Sequence, residues 1–66
     1  MQILLNGKKH ALEHSMSVQK LLQSLGMEGK PVVVEINKKA LLPREFADIQ
    51  LADGDQVEII TIAAGG

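Results

Sequence analysis

"SVQKLLQSLG", Ser17 to Gly26, reads as a helix with both of its ends written into it. Ser17 suits the N-cap, where a hydroxyl accepts a hydrogen bond from an orphan amide of the first turn. Met16 then falls at N′ and Leu21 at N4, the two positions of a hydrophobic staple. Val18, Leu21, Leu22 and Leu25 recur at i, i+3, i+4 and i+7, which makes one apolar stripe. Gly26 stands where a left-handed C′ residue ends a helix. A single stripe covers a single surface, so whatever this helix packs on keeps its opposite side bare.

The flanking segments read as strands. In "MQILL", Met1, Ile3 and Leu5 alternate with Gln2 and Leu4, the period of a half-buried strand. Asn6-Gly7 follows, a strong hairpin signal because both residue types accept the positive φ of a type I′ turn. "KKHALEH", Lys8 to His14, is therefore expected to return antiparallel, with Leu12 on its inner side. Beyond the helix, "PVVVEIN" is β-branched and apolar, and Pro31 at its start suits an edge or entry position. Asn37-Lys38-Lys39 is a polar break before "ALLP", a short return strand that Pro43 ends. "REFADIQL" has room for one helical turn. Asp53-Gly54-Asp55 is a turn, and "QVEIITI", Gln56 to Ile62, is the last strand. There is no repeat, linker or low-complexity segment.

One helix cannot cover both faces of a sheet, so the simplest packing lays its leucine stripe on one face. A last strand lying beside the first would run parallel to it at the middle of the sheet. That arrangement is α+β and resembles the β-grasp, or ubiquitin-like, fold: a mixed sheet of four to five strands with one main helix on one face. The strand order itself comes from fold analogy. The expected organisation is a body over residues 1–62 and a C-terminal tail over 63–66.

At 66 residues the chain buries only about 60% of the surface it exposes unfolded, and its core supplies about 3–5 kcal/mol. There is no cysteine, hence no disulfide, thiolate metal site or cysteine nucleophile, as suits a reducing compartment. Hydrophobic residues make up 45% and charged ones 23%, which is a globular rather than a disordered balance. The net charge is −1 with Lys and Arg scattered, and Phe46 as sole aromatic offers bases no stacking platform, so nucleic acid is not an expected partner. No apolar run approaches the roughly 18 residues of a membrane span, and the start lacks a signal-peptide pattern. The expectation is a soluble cytoplasmic protein with no membrane partner.

The outward side of the sheet is unusually apolar. With Ile3, Leu5, Val34, Ile36, Val57 and Ile59 facing the core, Leu4, Val33, Glu35, Glu58, Ile60 and Ile62 face out. If the first, last and third strands are neighbours in that order, Leu4, Val33, Ile60 and Ile62 form one exposed patch running toward the C-terminus, and such patches often mark docking surfaces. Two alternatives remain open: loop residues such as Phe46 cover part of it, or a register slip of one exchanges the two faces.

The chain ends in "TIAAGG", Thr61 to Gly66. Four extended residues, Ala63 to Gly66, reach at most about 13–14 Å, enough to thread a terminal carboxylate into another protein's cleft. Two glycines make the thinnest chain with the freest φ. The chemically distinctive group is the α-carboxylate of Gly66. A carboxylate is a poor electrophile and needs activation, normally by ATP as an acyl-adenylate, after which sulfur can displace AMP to give a thiocarboxylate. Taken alone, "AAGG" also fits an inert tail, the default for a terminus.

Other chemistry is poorly served. His10 and His14 share the parity of Leu12 but lie about 13 Å apart along a strand, with no third ligand, so no metal site is expected. Asp53 and Asp55 are the residues a turn wants around Gly54, rather than an acid-base pair. The lysines at 8, 9, 38 and 39 suit solvated strand and turn ends. No Ser-His-Asp set or phosphate loop occurs, so the chain is not expected to be an enzyme.

"MQILLNG", "SVQKLL", "VVVEINKKALLPREF", "LADGDQVEII" and the terminal "AAGG", in that order from Met1 to Gly66, resemble the ThiS family, the sulfur carriers of thiazole formation in thiamine biosynthesis. The resemblance implies a carrier that an E1-like ATP-dependent adenylyltransferase adenylates at the last glycine. A sulfur donor, a persulfide protein, then converts that end to a thiocarboxylate, and thiazole synthase receives the sulfur. Carried onto this chain, Gly66 bears the adenylate and then the thiocarboxylate, Gly65 keeps the tail thin, and Ala63 and Ala64 lead into it. No cofactor is bound, since ATP belongs to the adenylating partner. Phe46 stands where a larger aromatic is frequent in the family, and Ala63-Ala64 precede the diglycine. The small subunit of molybdopterin synthase is the related alternative; such chains usually run longer and often carry proline just before Gly-Gly. An interaction module of ubiquitin-like shape with an inert tail is the alternative of a different class.

Overall fold

Asn6 and Gly7 take φ of 50° and 82°, the two left-handed conformations of a type I′ turn, whose twist matches that of the strands it joins. The turn connects β1 (Gln2–Leu5) to β2 (Lys8–Ala11), which pair antiparallel from Gln2 opposite Ala11 to Leu5 opposite Lys8. The computed structural model describes residues 1–62. The second strand is shorter than "KKHALEH" suggests. β1 offers ladder partners only over its own four residues, and the Met1 carbonyl takes the Leu12 amide as the pairing ends. Leu12 is nonetheless buried on the inner side.

The helix α1 (Val18–Ser24) has the caps its sequence announces. The Ser17 Oγ accepts from the Lys20 amide at 3.1 Å. At the other end Gly26 has φ 72°, its amide donates to the Gln23 carbonyl, and the Met27 amide reaches back to Leu22. That double bond pattern is the Schellman motif, which satisfies carbonyls a helix end would leave orphaned. Val18, Leu21 and Leu22 are buried, and Met16 and Leu25 pack against the same cluster.

Past the helix come β3 (Val32–Ile36), β4 (Lys39–Ala40), a 3-10 turn at Pro43–Glu45 and β5 (Gln56–Thr61). The return strand begins at Lys39, ahead of the expected "ALLP". Asn37 and Lys38 have φ of 51° and 71° and form a second two-residue I′ turn, so the chain reverses at once. Lysine rarely adopts that conformation, which costs a residue with a Cβ about 1–2 kcal/mol, and the turn is therefore hard to see in the sequence.

The sheet has five strands in the order β2-β1-β5-β3-β4. β1 and β5 run parallel at its centre, Leu4 beside Gln56 and Leu5 beside Val57, while β5 pairs antiparallel with the whole of β3. This is the mixed β-grasp sheet, and α1 lies on one face of it. Ile3, Val34, Val57 and Ile59 meet the helix residues in one core, closed at one end by Leu12 and Leu51. Leu51 is fixed there by the hydrogen bond its amide donates to the Met16 carbonyl and by Ser15, whose Oγ donates to the Leu51 carbonyl at 2.7 Å.

β1 ends before β5 does, and the side chain of Asn6 makes up the difference. Its Oδ1 accepts from the Ile59 amide at 2.8 Å and its Nδ2 donates to the Ile59 carbonyl at 3.3 Å. The carboxamide stands in for the next peptide of β1. Asn6→Ala strands the half-buried Ile59 amide, at about 1–3 kcal/mol, and forces alanine into a left-handed φ at about 1–2 kcal/mol. Urea unfolding should show a loss of about 2–5 kcal/mol from those two effects. Asn6→Gly, which keeps the turn and loses only the amide, should lose less; equal losses would mean that the turn geometry is immaterial.

Candidate functional site

β5 is held on its β1 edge as far as Ile59 and on its β3 edge up to its end. On the β1 side the Asn6 carboxamide clamps Ile59. On the β3 side the ladder runs from Val57 opposite Ile36 to Thr61 opposite Val32, and the Ile62 amide donates to the Pro31 carbonyl at 3.0 Å. Pro31 lacks an amide of its own, so that rung is made through its carbonyl alone. The strand thus leads straight to Ile62. Ala63, Ala64, Gly65 and Gly66, expected to be presented to partners and modified, lie outside the described residues.

On the outward face Ile60 and Ile62 are 49% and 52% exposed, whereas Leu4 and Val33 are half-buried. Val33 lies directly opposite Ile60, and Ile62 follows on the same side of the strand. Leu4 does not join them. Its neighbour on β5 is Gln56, which stands two outward rows, about 13 Å, from Ile60. The row between belongs to Glu58, whose cross-strand partner is Glu35. Phe46 does not cover this face. It packs against the core on the helix side, where it lines a groove with Leu22, Met27, Val32, Lys30 and Arg44. Sequence reading missed that groove because its walls come from three separate segments.

The residues set aside as catalysts have structural work. The Asp53 carboxylate accepts from the Gln2 amide at 2.7 Å. Asp55 accepts from the Ala52 amide at 2.8 Å and from Asn37 Nδ2 at 3.1 Å, while the Gln56 amide donates to Asn37 Oδ1 at 2.9 Å. The Gly54 turn, with φ 86°, is tied in this way to β1 and to the β3–β4 turn. His10 sits on β2 opposite Ile3, and His14 lies beyond the end of that strand, so the two do not share it as expected. Among the described residues no group of three or more His, Cys, Asp or Glu could hold a metal ion, and no helix is long and apolar enough to cross a membrane.

The sequence model of the ThiS family matches residues 3–66. The chain is 38% identical over 64 residues to a sulfur carrier protein ThiS from Thermus thermophilus, covering 97% of this chain and 98% of that protein. It is 33% identical over its full length to part of a thiazole synthase from Paramagnetospirillum magneticum, of which it spans only 20%. The crystal structure of a thiamine biosynthesis protein (ThiS) from Geobacter metallireducens superposes with a TM-score of 0.86 at 32% identity, covering 100% of both chains. With the family pattern running through nearly the whole chain and the fold superposing end to end, this protein belongs to the ThiS family.

Proposed function

We propose that the chain is a cytoplasmic sulfur carrier for thiazole formation in thiamine biosynthesis, with the carboxyl group of Gly66 as the carrying group. The observation that supports it most directly is the likeness, along almost its entire length, to a protein of the same size named as a sulfur carrier. The chemistry runs through three partners. An E1-like adenylyltransferase joins the Gly66 carboxylate to AMP, with pyrophosphate as leaving group. A persulfide donor supplies sulfur that displaces AMP, and thiol reduction of the resulting acyl disulfide leaves the thiocarboxylate. Thiazole synthase takes the sulfur from that group. The likeness of the whole chain to one fifth of a thiazole synthase supports that last partnership.

In this reading the β-grasp body contributes no catalytic group. Gly65 and Gly66 pass where a side chain would not, Ala63 and Ala64 span the distance from β5, and Val33, Ile60 and Ile62, with Leu4 farther along, give partners an apolar surface to grip. Intact-mass measurement after incubation with ATP, the adenylating enzyme and a sulfur donor should register replacement of one oxygen by sulfur, localised to Gly66 by fragmentation. An unchanged mass under those conditions would refute the proposal.

A further inference from the structure

We propose that the outer face of the sheet docks a partner protein that inserts a cationic side chain, an arginine by fit, between Glu35 and Glu58. The inference rests on the docking role given to this face above. Glu35 and Glu58 are direct cross-strand partners on β3 and β5, and like charges set opposite one another on a sheet work against folding. Among the described strand residues, none that neighbours them relieves them. Along β5 the outward neighbours are Gln56 and Ile60, along β3 the neighbour is Val33, and on β4 Glu35 faces Ala40. Among the described strand residues, the cation that shares the outward face, Lys9, stands opposite Leu4 on β2, with β1 between it and β5. Lys39 pairs with inward-facing Ile36 and points the other way. Among the described residues no side chain or amide donates a hydrogen bond to either carboxylate.

Two carboxylates with no partner among the described residues therefore stand on opposed strand positions, in a face whose next row, Val33 and Ile60, is apolar. A guanidinium matches that arrangement: it is planar, weakly hydrated and carries five donors, enough to bridge two carboxylates at once. A buried arginine ringed by apolar contacts is also a common anchor of protein interfaces. A nucleic acid would bring phosphates against the same two charges, so the occupant is a protein surface.

The test is calorimetric titration of the full-length chain into the host's thiazole synthase and, separately, its adenylating enzyme. Glu35→Gln/Glu58→Gln should weaken binding to at least one of them by about 10-fold or more and flatten its dependence on salt. The same variant, free in solution, should unfold at a higher urea concentration than the unaltered chain, because the repulsion is gone. Ile60→Ser separates the two ideas. If it weakens binding while the glutamine variant binds both enzymes with unchanged affinity and salt dependence, the docking face stands and the arginine pairing is overturned. If neither variant alters binding, or the unaltered chain binds neither enzyme, both are overturned. A lower urea midpoint for the glutamine variant would mean that the pair is already satisfied in the free protein, which also overturns the pairing.

Discussion

Removing Gly65 and Gly66 is expected to abolish sulfur loading, while the urea midpoint of the shortened chain stays where it was. The two halves of that result have separate causes. In the proposed mechanism loading needs one carboxyl group at the end of a thin tail, and a chain ending at Ala64 would put its carboxylate about two residues, or roughly 7 Å, short of the place where Gly66 would be adenylated. Stability depends on the body, whose last described rung is the bond from Ile62 to the Pro31 carbonyl. A chain extended by one alanine beyond Gly66, and protected from trimming, should fail in the same way. The readouts are intact mass after the loading reaction and growth without added thiazole of a strain lacking its own carrier. Rescue by the extended chain would exclude the Gly66 carboxyl group as the sulfur-bearing group.

Leu21→Ala should come close to unfolding the protein. Leu21 has 0% of its surface exposed and lies in the stripe that α1 lays on the sheet. Truncating a buried leucine costs about 2–5 kcal/mol, the upper values where neighbours cannot close the cavity. Here they cannot move far, because Val34 and Val57 of the same core are fixed in β3 and β5, each of which is paired on both edges. A domain of this size draws about 3–5 kcal/mol from its core, so one substitution removes most of the margin. Urea unfolding followed by circular dichroism should find a chain substantially unfolded at 37 °C, whereas Gln23→Ala on the exposed face of the same helix should change little. A loss below about 1 kcal/mol for Leu21→Ala would contradict the tight packing described.

Those expectations draw on features of very different legibility. The cap at Ser17, the leucine stripe and Gly26 could be read along the chain because each acts within a turn or two of helix. Asn6-Gly7 was legible for the same reason. The Asn37-Lys38 turn was not, since its geometry sits on a lysine that local preference would place elsewhere. His14 looked like part of a strand until the partner strand ran out. The outward patch was legible as a set of residues but not as a surface. Alternation assigned Leu4, Val33, Ile60 and Ile62 to one side, and the ladder then separated Leu4 from the rest.

Period, caps and turn residues depend on neighbours a few positions away, so the elements, their inward faces and the kinship of the chain were present in the order of its amino acids. Which residues stand side by side across strands depends on register, a relation between segments far apart in the chain. The clamp of Asn6 on Ile59 spans 53 positions, and the confrontation of Glu35 with Glu58 links two strands that share no local signal. Both exist only once the sheet has closed, because hydrogen bonding between strands, and not the preference of any one residue, sets those pairs.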